Sequence, residues 1–573
     1  MQKFIHKGVL IPRKYEGRGF HILVKSRKID LTPEQEEMAV AWVKKLGTEY
    51  VNDHVFVRNF FRDFCKALNV KDKVSAEDFD FSEIKRYIDR EREIKQNLSK
   101  EAKKKLAQER KAIGETNKEK YGHAFVDGLK VEVSNYTAEP SSIFMGRGKH
   151  PLRGRWKKGP DEKDVVLNLS PDAPRPKGNW KEIIWQPNSM WVARWKDKLR
   201  NKKYKHVWLS DAFPLKQMKD ISKFNKAREL KTRINKIRNH ITNNLSAKDV
   251  TRRKVATVCY LIDTLKLRVG DEKDRDEADT VGATTLRPNH INISPDGKVA
   301  FDFLGKDSVR WQKTISLSKL VVENLSEFMA DANSTVFDGV KSKDANLFLS
   351  EAMPGLTAKV FRTYHATEVV TRSLKKADAD KDDSEAKKKY VAKMANLQAA
   401  MVCNHIRKIP KSWQASLDKR KLRLKTRKTK GKEAVKKLEH KAKEHTQKHE
   451  EKLKKYQMQL AEREKQGKSA KQLKERTKKL KIKHKERVKR LNEHVENRKQ
   501  RDKAYIEKLK LQITTQEETR DYNLTTSLKS YVDPRTYYKW GKKVDFDWKL
   551  YYPKTLQKKF SWVELNEDNP IIT

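Results

Sequence analysis

The sequence predicts an α+β protein of several domains, and three observations carry that prediction. Apolar residues recur at helical spacing from about residue 214, alternate at period two over residues 291–311, and give way to a charged run over 411–510. No single layer architecture accommodates all three patterns, and 573 residues leave room for about three or four domains with a sizeable core.

In chain order, residues 1–210 mix short apolar segments with turn clusters such as SPDAPRPKGNW (170–180) and carry a charged helical stretch around 82–119. From 214 the pattern is firmly helical. Phe224, Ala227, Leu230, Ile234, Ile237 and Ile241 form one stripe, and Val255, Val258, Cys259, Ile262 and Leu265 form another; both read as core-facing. In HINISPDGKVAFDFLGKDSVRW (290–311) the period drops to two. Ile291 and Ile293, then Val299, Phe301 and Phe303, flank the turn SPDG, and a second turn, LGKDS, leads to Val309 and Trp311. The expected element is a three-stranded meander with Lys306 at a hairpin tip. Helices are expected again through AKVFRTYHATEVVTRSL (358–374) and YVAKMANLQAAMVCNHIRKIP (390–410), the second stopped by Pro410.

Residues 411–510 hold 38 Lys and Arg against 14 Asp and Glu, a net +24, with no proline and with only Gly431 and Gly467 as glycines. High helix propensity and apolar residues at three-to-four spacing predict a long helical hairpin turning near one of those glycines. It can bury little core, so it reads first as a solvated spacer and second as a basic arm lying close to a phosphate backbone. His445 and His449, with Glu444 beside them, have the spacing of a metal pair, but no third ligand is evident.

Composition narrows the function. A formal charge of +53 attracts polyanions, of which nucleic acid is the commonest in a cell. A membrane surface is the rival polyanion, but no apolar run approaches the ~18 residues needed to span a bilayer, and MQKFIHKGVLIPRKYEGRGF lacks a signal peptide's apolar core. A soluble, intracellular chain is expected. Cys65, Cys259 and Cys403 stand far apart in no metal or redox spacing, and fit a reducing compartment in which they pack as small apolar residues. With no GxxxxGK[ST] loop, no apparatus for nucleotide hydrolysis is visible.

After the charged run, SYVDPR (530–535) sets Tyr531 between a serine and a Val-Asp-Pro turn. A tyrosine that breaks a phosphodiester must lose its proton, the crowded phosphorane must have its extra charge neutralised, and the departing 5′ oxygen must be protonated. Guanidinium forks suit the second task, a lysine the third, and an imidazole can donate to a non-bridging oxygen. Two arginines, a lysine, a histidine and a tyrosine therefore suffice.

The runs LRVGDEK (267–273), ADTVG (278–282), FDFLGKDSVR (301–310), LTAKVFRTY (356–364), CNHIR (403–407) and SYVDPR occur in that order, with the basic helical segment between the fifth and sixth. In this arrangement the chain resembles the eukaryotic type IB DNA topoisomerases over almost its whole length. FMGRGKHP (144–151) and NWKE (179–182) are similar to that family's DNA-clamping lobe. The resemblance implies that Tyr531 is the nucleophile, that Arg268 and Arg362 bind the scissile phosphate, that His405 hydrogen-bonds a non-bridging oxygen, and that Lys306 is the general acid for the 5′-hydroxyl. It implies a minor-groove contact by Arg147 beside the cleavage site, backbone contacts by Lys149 and His150, and places for Lys273, Asp307 and Ser530 in the DNA-binding set. Alone, each has a plainer reading: Arg268 as a helix-end charge, Lys306 as a solvated tip, His405 as a helix cap, Tyr531 as packing before a turn, and GRGKHP as a basic turn.

The fold implied by the resemblance is a bilobed DNA clamp. Residues 1–210 form a mixed α/β clamp lobe, 211–410 a mostly helical, tyrosine-recombinase-like catalytic lobe, 411–515 the basic helical linker and 516–573 a small C-terminal domain carrying the nucleophile. The implied activity is relaxation of positive and negative supercoils through a 3′-phosphotyrosyl intermediate, strand rotation and religation, without ATP, metal or another cofactor. Its partner is double-stranded DNA, with no membrane, and the chain acts as a monomer in the nucleus; a virus-encoded enzyme acting in nucleus, viral factory or virion is the alternative. Four departures stand out. Ser530 occupies a position that is commonly Asn, which bears on drugs that wedge beside the cut. His365 follows FRTY where Asn is usual. The arm is long for the family, and the family's extended charged N-terminal tail does not precede residue 1, so the nuclear address is left open.

Two rivals remain at this stage. A tyrosine recombinase uses the same chemistry but typically reads HxxR where this chain has Lys359-Val-Phe-Arg362. A non-catalytic nucleic-acid scaffold is what composition alone favours, whereas an RNA-binding role finds no RNP or KH signature. If the +24 arm slows DNA rotation by friction, deleting residues 420–505 while retaining a linker should speed rotation in a single-molecule relaxation trace; an unchanged rate argues against it.

Overall fold

Aromatic residues build the first core of the chain. The structure, a computed structural model, describes all residues except 71–73, 201–202, 272–277, 467, 468, 470 and 569–573. In it helix α1 (Pro33–Val43) starts at a capping box, Thr32 with Gln35, and α2 (His54–Leu68) starts where Asp53 accepts from the amides of Val55 and Phe56. The two helices bring Trp42 against Phe56, Phe60 and Phe61, with the Trp42 and Phe60 rings stacked 4.6 Å apart. Phe64, Phe79 and Phe81 complete the cluster, which also covers the small sheet of Arg27–Asp30, His21–Val24 and Phe79–Asp80.

The charged stretch expected around 82–119 forms two helices, α3 (Ser82–Asn97) and α4 (Lys100–Tyr121). The break falls at Leu98–Ser99, where the Ser99 hydroxyl accepts from the Ala102 amide and starts a new helix. A second core lies under the four-stranded sheet ordered Glu182–Ile184, Val166–Asn168, Trp191–Lys196, Tyr204–Trp208, in which the first pair is parallel and the others antiparallel. Leu167, Val192, Trp195 and Phe213 are buried there together with Phe4 of an N-terminal strand.

Pro214 opens α5 (Pro214–Asn244), whose buried Phe224, Ala227, Leu230, Ile237 and Ile241 are the expected stripe, with Ile234 half-buried. Helix α6 (Val250–Leu265) buries all five residues of the second stripe. The meander forms as Ile291–Ile293, Lys298–Gly305 and Val309–Ser316, all antiparallel, so its last strand runs beyond the expected Trp311. Val299, Phe301 and Phe303 face inward, and Phe303 stacks on Trp311 at 5.2 Å. Helices α7 (Lys319–Ala330), α8 (Ser342–Ala352) and α9 (Ala358–Lys376) follow.

The chain divides into two units, Met1–Arg362 with Lys554–Thr573, and Thr363–Pro553. In the second unit, α10 (Glu385–Val402) ends well before Pro410, against the sequence expectation. The stop is Asn404, which adopts a left-handed φ of 51° that the helix cannot continue through. Two long helices then pair as a hairpin, α11 (Trp413–Lys465) and α12 (Lys471–Glu518), and each spans about 70–80 Å at 1.5 Å per residue. The turn falls between them; Gly467, one of its two candidate glycines, lies outside the described residues. Gly431 serves another purpose. It is buried inside α11, where an added Cβ would meet the Asp502 carboxylate at 2.9 Å, and that carboxylate is bonded by Arg427 across the hairpin and Arg498 within α12. Lys421–Glu517 and Lys499–Glu439 ion pairs tie the helices at other levels, around buried Leu417, Val495, Leu509 and Ile513.

Helices α13 (Leu524–Ser530) and α14 (Pro534–Val544) complete this unit. The final helices, α15 (Lys554–Lys559) and α16 (Trp562–Asp568), belong to the first unit, where Phe560 and Trp562 pack against Phe224 and the Lys559 ammonium pairs with Asp220 at 2.8 Å. Mostly helical with several small sheets, the chain is multidomain, as expected.

The turn carrying Arg147 is anchored by Gly154, which has φ +88° and sits so close to α2 that a Cβ would fall 2.0 Å from the Phe56 carbonyl oxygen. Gly154→Ala should therefore cost roughly 1–3 kcal/mol in backbone strain alone. The expected result is a lowered unfolding midpoint and faster proteolysis within residues 144–155; a wild-type midpoint would show the turn to be free to shift.

Candidate active site

Arg268, Lys306 and Arg362 belong to the first unit. Helix α6 ends at Lys266, whose φ of 58° turns the chain out of the helix and leaves its carbonyl accessible. The Arg362 guanidinium, only 5% exposed, donates to that carbonyl at 2.5 Å, two residues before Arg268. Gly270 and Gly282 then lie back to back: a Cβ on Gly270, at φ +88°, would meet the Gly282 Cα at 2.8 Å. Their contact lets the Ala283 amide donate to the Arg268 carbonyl and the Thr284 amide to Val269. Further along the same loop the Val281 amide donates to the Leu304 carbonyl, two residues before Lys306. Backbone hydrogen bonds thus link the segments that carry Arg268 and Lys306, and the Arg362 guanidinium ties its own helix to the first of them.

Lys306 is exposed at the tip of the meander, as expected, and the tip is tight, with Asp307 and Ser308 at φ 67° and 58°. Arg147 pairs with the Asp307 carboxylate, and the Ser308 hydroxyl lies 3.4 Å from the Arg147 carbonyl. Gly148 passes beneath Ser308 at φ +55°. The structure therefore brings the GRG turn to the Lys306 tip. Lys149 is exposed, while His150 is buried, packed edge-on against Phe144, with its Nδ1 accepting from the Leu152 amide at 3.1 Å. Lys273 lies outside the described residues.

His405 and Tyr531 belong to the second unit. After the Asn404 turn, Ile406 bridges antiparallel to Tyr522; the Asn523 amide donates to the His405 carbonyl at 2.7 Å and the Arg407 amide to Asp521 at 2.9 Å. Asn523 caps α13 through the Thr525 amide, and Ser527, one turn on, lies with its Oγ 2.8 Å from His405 Nδ1. Tyr531 terminates α13 with its amide and that of Val532 both bonded to the Ser527 carbonyl. Its ring sits 5.4 Å from the imidazole, tilted by 30°. Tyr531 is 4% exposed and His405 7%.

One further group holds the tyrosine's backbone. The Thr367 hydroxyl accepts from the Asp533 amide at 3.1 Å and lies 3.3 Å from the Tyr531 carbonyl, to which it donates. Asp533 caps α14 and forms a buried ion pair with Arg535 at 2.9 Å. Ser530 is half-buried at the end of α13, and His365 on α9 leans on Tyr364 with ring centres 4.9 Å apart. Sequence reasoning singled out neither Ser527 nor Thr367. The signal for Ser527 was its place one helical turn before Tyr531; Thr367 carried none, because its partners lie more than 160 residues away. Nearby Tyr537, Tyr551 and Tyr552 are poor nucleophile candidates, because burial pushes all three phenols above their ordinary range.

His445 and His449 acquire a third neighbour, His484 of α12, but the rings stack, at 3.7 Å between His449 and His484, instead of converging on a point. Among the described residues no group of three or more His, Cys, Asp or Glu could hold a metal ion, and no helix is long and apolar enough to cross a membrane.

Comparison with known proteins covers most of the chain. Residues 1–209 match a family model described as eukaryotic DNA topoisomerase I, DNA binding fragment; 213–438 match the catalytic core of the same family, and 503–569 a C-terminal topoisomerase domain. DNA topoisomerase 1 of Homo sapiens is 32% identical over 578 residues, 98% of this chain and 70% of that protein. The Caenorhabditis elegans protein of that name is 33% identical across 97% of this chain and 66% of its own length. DNA topoisomerase 1 beta of Arabidopsis thaliana is 38% identical over 72% of this chain and 45% of that protein. The chain spans about half the length of the plant relatives it matches.

Proposed function

The chain belongs to the eukaryotic DNA topoisomerase I family, and from that premise we propose that it closes on duplex DNA and relaxes supercoils by transient cleavage of one strand with Tyr531. What carries the proposal is the setting of Tyr531: a tyrosine whose backbone is held on both sides of its Cα, with its ring beside a buried imidazole. A packing residue before a turn needs no such setting.

In the proposed reaction the Tyr531 oxygen attacks phosphorus as its proton passes to water, the bond to the 5′ oxygen breaks, and Lys306 supplies the proton that the 5′ oxygen takes up and regains one from water, so that no proton is gained or lost overall. Arg268 and Arg362 neutralise the charge that builds on the phosphorane, each through the planar donor fork of its guanidinium. His405 donates a hydrogen bond to a non-bridging oxygen. One phosphodiester replaces another, so the balance of bonds calls for neither ATP nor metal. The broken strand then rotates, and attack by the 5′-hydroxyl on the phosphotyrosine restores the duplex and the phenol.

The bilobed clamp, with residues 1–210 as one lobe and 211–410 as the other, is part of the same proposal, as are the linker over 411–515, the nucleophile domain over 516–573 and action as a monomer. It is supported by the DNA-binding-fragment match and by the GRG turn, whose Arg147 and Lys149 are exposed beside the Lys306 tip. Arg147 would exchange the Asp307 carboxylate for DNA, and His150 would act by holding the turn. Action in the nucleus, which the family resemblance implies, belongs to the same proposal.

The test is relaxation of positively and negatively supercoiled plasmid in EDTA without ATP. Wild type should relax both signs and Tyr531→Phe, which loses one oxygen, neither. Tight DNA binding without relaxation by wild type would leave the non-catalytic scaffold as the better reading.

A further inference from the structure

We propose that Ser527 is a positioning residue for strand cleavage: its hydroxyl fixes His405 in the tautomer that carries the ring proton on Nε2. The inference rests on the reading that His405 and Tyr531 act on the scissile phosphate, and it concerns how this chain prepares the imidazole for that task.

The hydroxyl proton decides the tautomer. Ser527 is fully buried and His405 nearly so, and a buried O–H must find an acceptor. Elsewhere in this chain helical hydroxyls find one in the carbonyl four residues back, as Thr429, Thr446, Thr477 and Thr515 do. Ser527 makes no such bond; among the described hydrogen bonds its hydroxyl has one partner, His405 Nδ1 at 2.8 Å. If Nδ1 carried the proton and donated it, the serine proton would be left buried without an acceptor. The arrangement that satisfies both groups has Ser527 donating and Nδ1 accepting, which leaves the proton of a neutral imidazole on Nε2.

Backbone bonds keep the ring there. The His405 amide donates to Ala400 at 2.8 Å and its carbonyl accepts from Asn523 at 2.7 Å, so the imidazole enters the site from a segment held at both ends. Ser527 also acts through its main chain, since its carbonyl takes the amides of both Tyr531 and Val532. One residue therefore sets the imidazole with its side chain and the nucleophile's backbone with its carbonyl. The consequence is chemical. A neutral imidazole protonated on Nε2 offers a donor to an anionic oxygen, whereas the opposite tautomer would present a lone pair to it and repel it.

The experiment uses the full chain in two measurements. Nitrogen-15 NMR of histidine-labelled protein, with the His405 signal assigned by its loss in His405→Gln, should show the Nε2-protonated tautomer in wild type and a mixture in Ser527→Ala. Single-turnover cleavage of a duplex oligonucleotide should slow about tenfold in Ser527→Ala, less than the ~100-fold or more expected for losing the donor itself. DNA affinity should be unchanged, and Ser527→Thr, which keeps the hydroxyl, should recover most of the rate. An Nδ1-protonated His405 in wild type, or an Ala variant that cleaves at the wild-type rate, overturns the proposal. Wild type that relaxes no plasmid overturns instead the enzymatic reading on which it rests, whatever the tautomer, so the two failures are distinguishable.

Discussion

The antiparallel bridge between Ile406 and Tyr522 closes the long basic hairpin at its base. Closing a loop that long costs conformational entropy, which grows only slowly with length, so a few strong local bonds can hold it. Among the described residues four are present: Asn523 to His405, Arg407 to Asp521, and the Arg407 guanidinium on the Arg520 and Thr519 carbonyls. This closure sets the residues just after the hairpin against those just before it, alongside the Asn396 amide on the Leu524 carbonyl and the Tyr537 hydroxyl on the Ala392 carbonyl. With it, α13 starts two residues beyond the bridge and carries Ser527 beneath His405 and Tyr531 to the imidazole's side.

The remaining groups obey a different constraint. A phosphorane needs fixed positive charge, and fixed charge needs a rigid mount. Arg362 rises from α9 and is pinned to the carbonyl at the frayed end of α6, while Arg268 lies in a loop whose course depends on two glycines packed without side chains between them. Lys306 has the opposite setting: exposed, on a tight tip with two residues at positive φ. That contrast suits the proposed division of labour, in which guanidiniums hold charge in place and an ammonium must reach a leaving oxygen.

Much of the fold was legible because burial leaves a period in sequence. The stripes of α5 and α6 and the alternation of the meander each say which side faces inward, and the structure buries those sides. What escaped were features decided by partners distant in the chain. The end of α10 is fixed by Asn404 turning toward the bridge, a choice that Pro410 could not reveal. Gly431 looked like a turn and is a contact, because Asp502 of the other helix needs its missing Cβ. The five candidate catalytic residues were each ambiguous alone and stood out only through the order of six runs. Thr367 was invisible and Ser527 offered only its place one turn before Tyr531, since a hydroxyl in a helix does not announce which imidazole or carbonyl it will meet.

The central claim is a covalent bond between Tyr531 and the 3′ end of the broken strand, and trapping that bond tests it most directly. A duplex labelled at the 5′ end of the cleaved strand would be mixed with the protein, denatured with detergent, and the adduct digested and weighed by mass spectrometry. The account predicts that the labelled strand migrates with the protein, that the released fragment bears a 5′-hydroxyl, and that the nucleotide mass sits on the peptide containing Tyr531. Label left entirely on free DNA, a fragment retained through its 5′ end, or an adduct on another residue would contradict it.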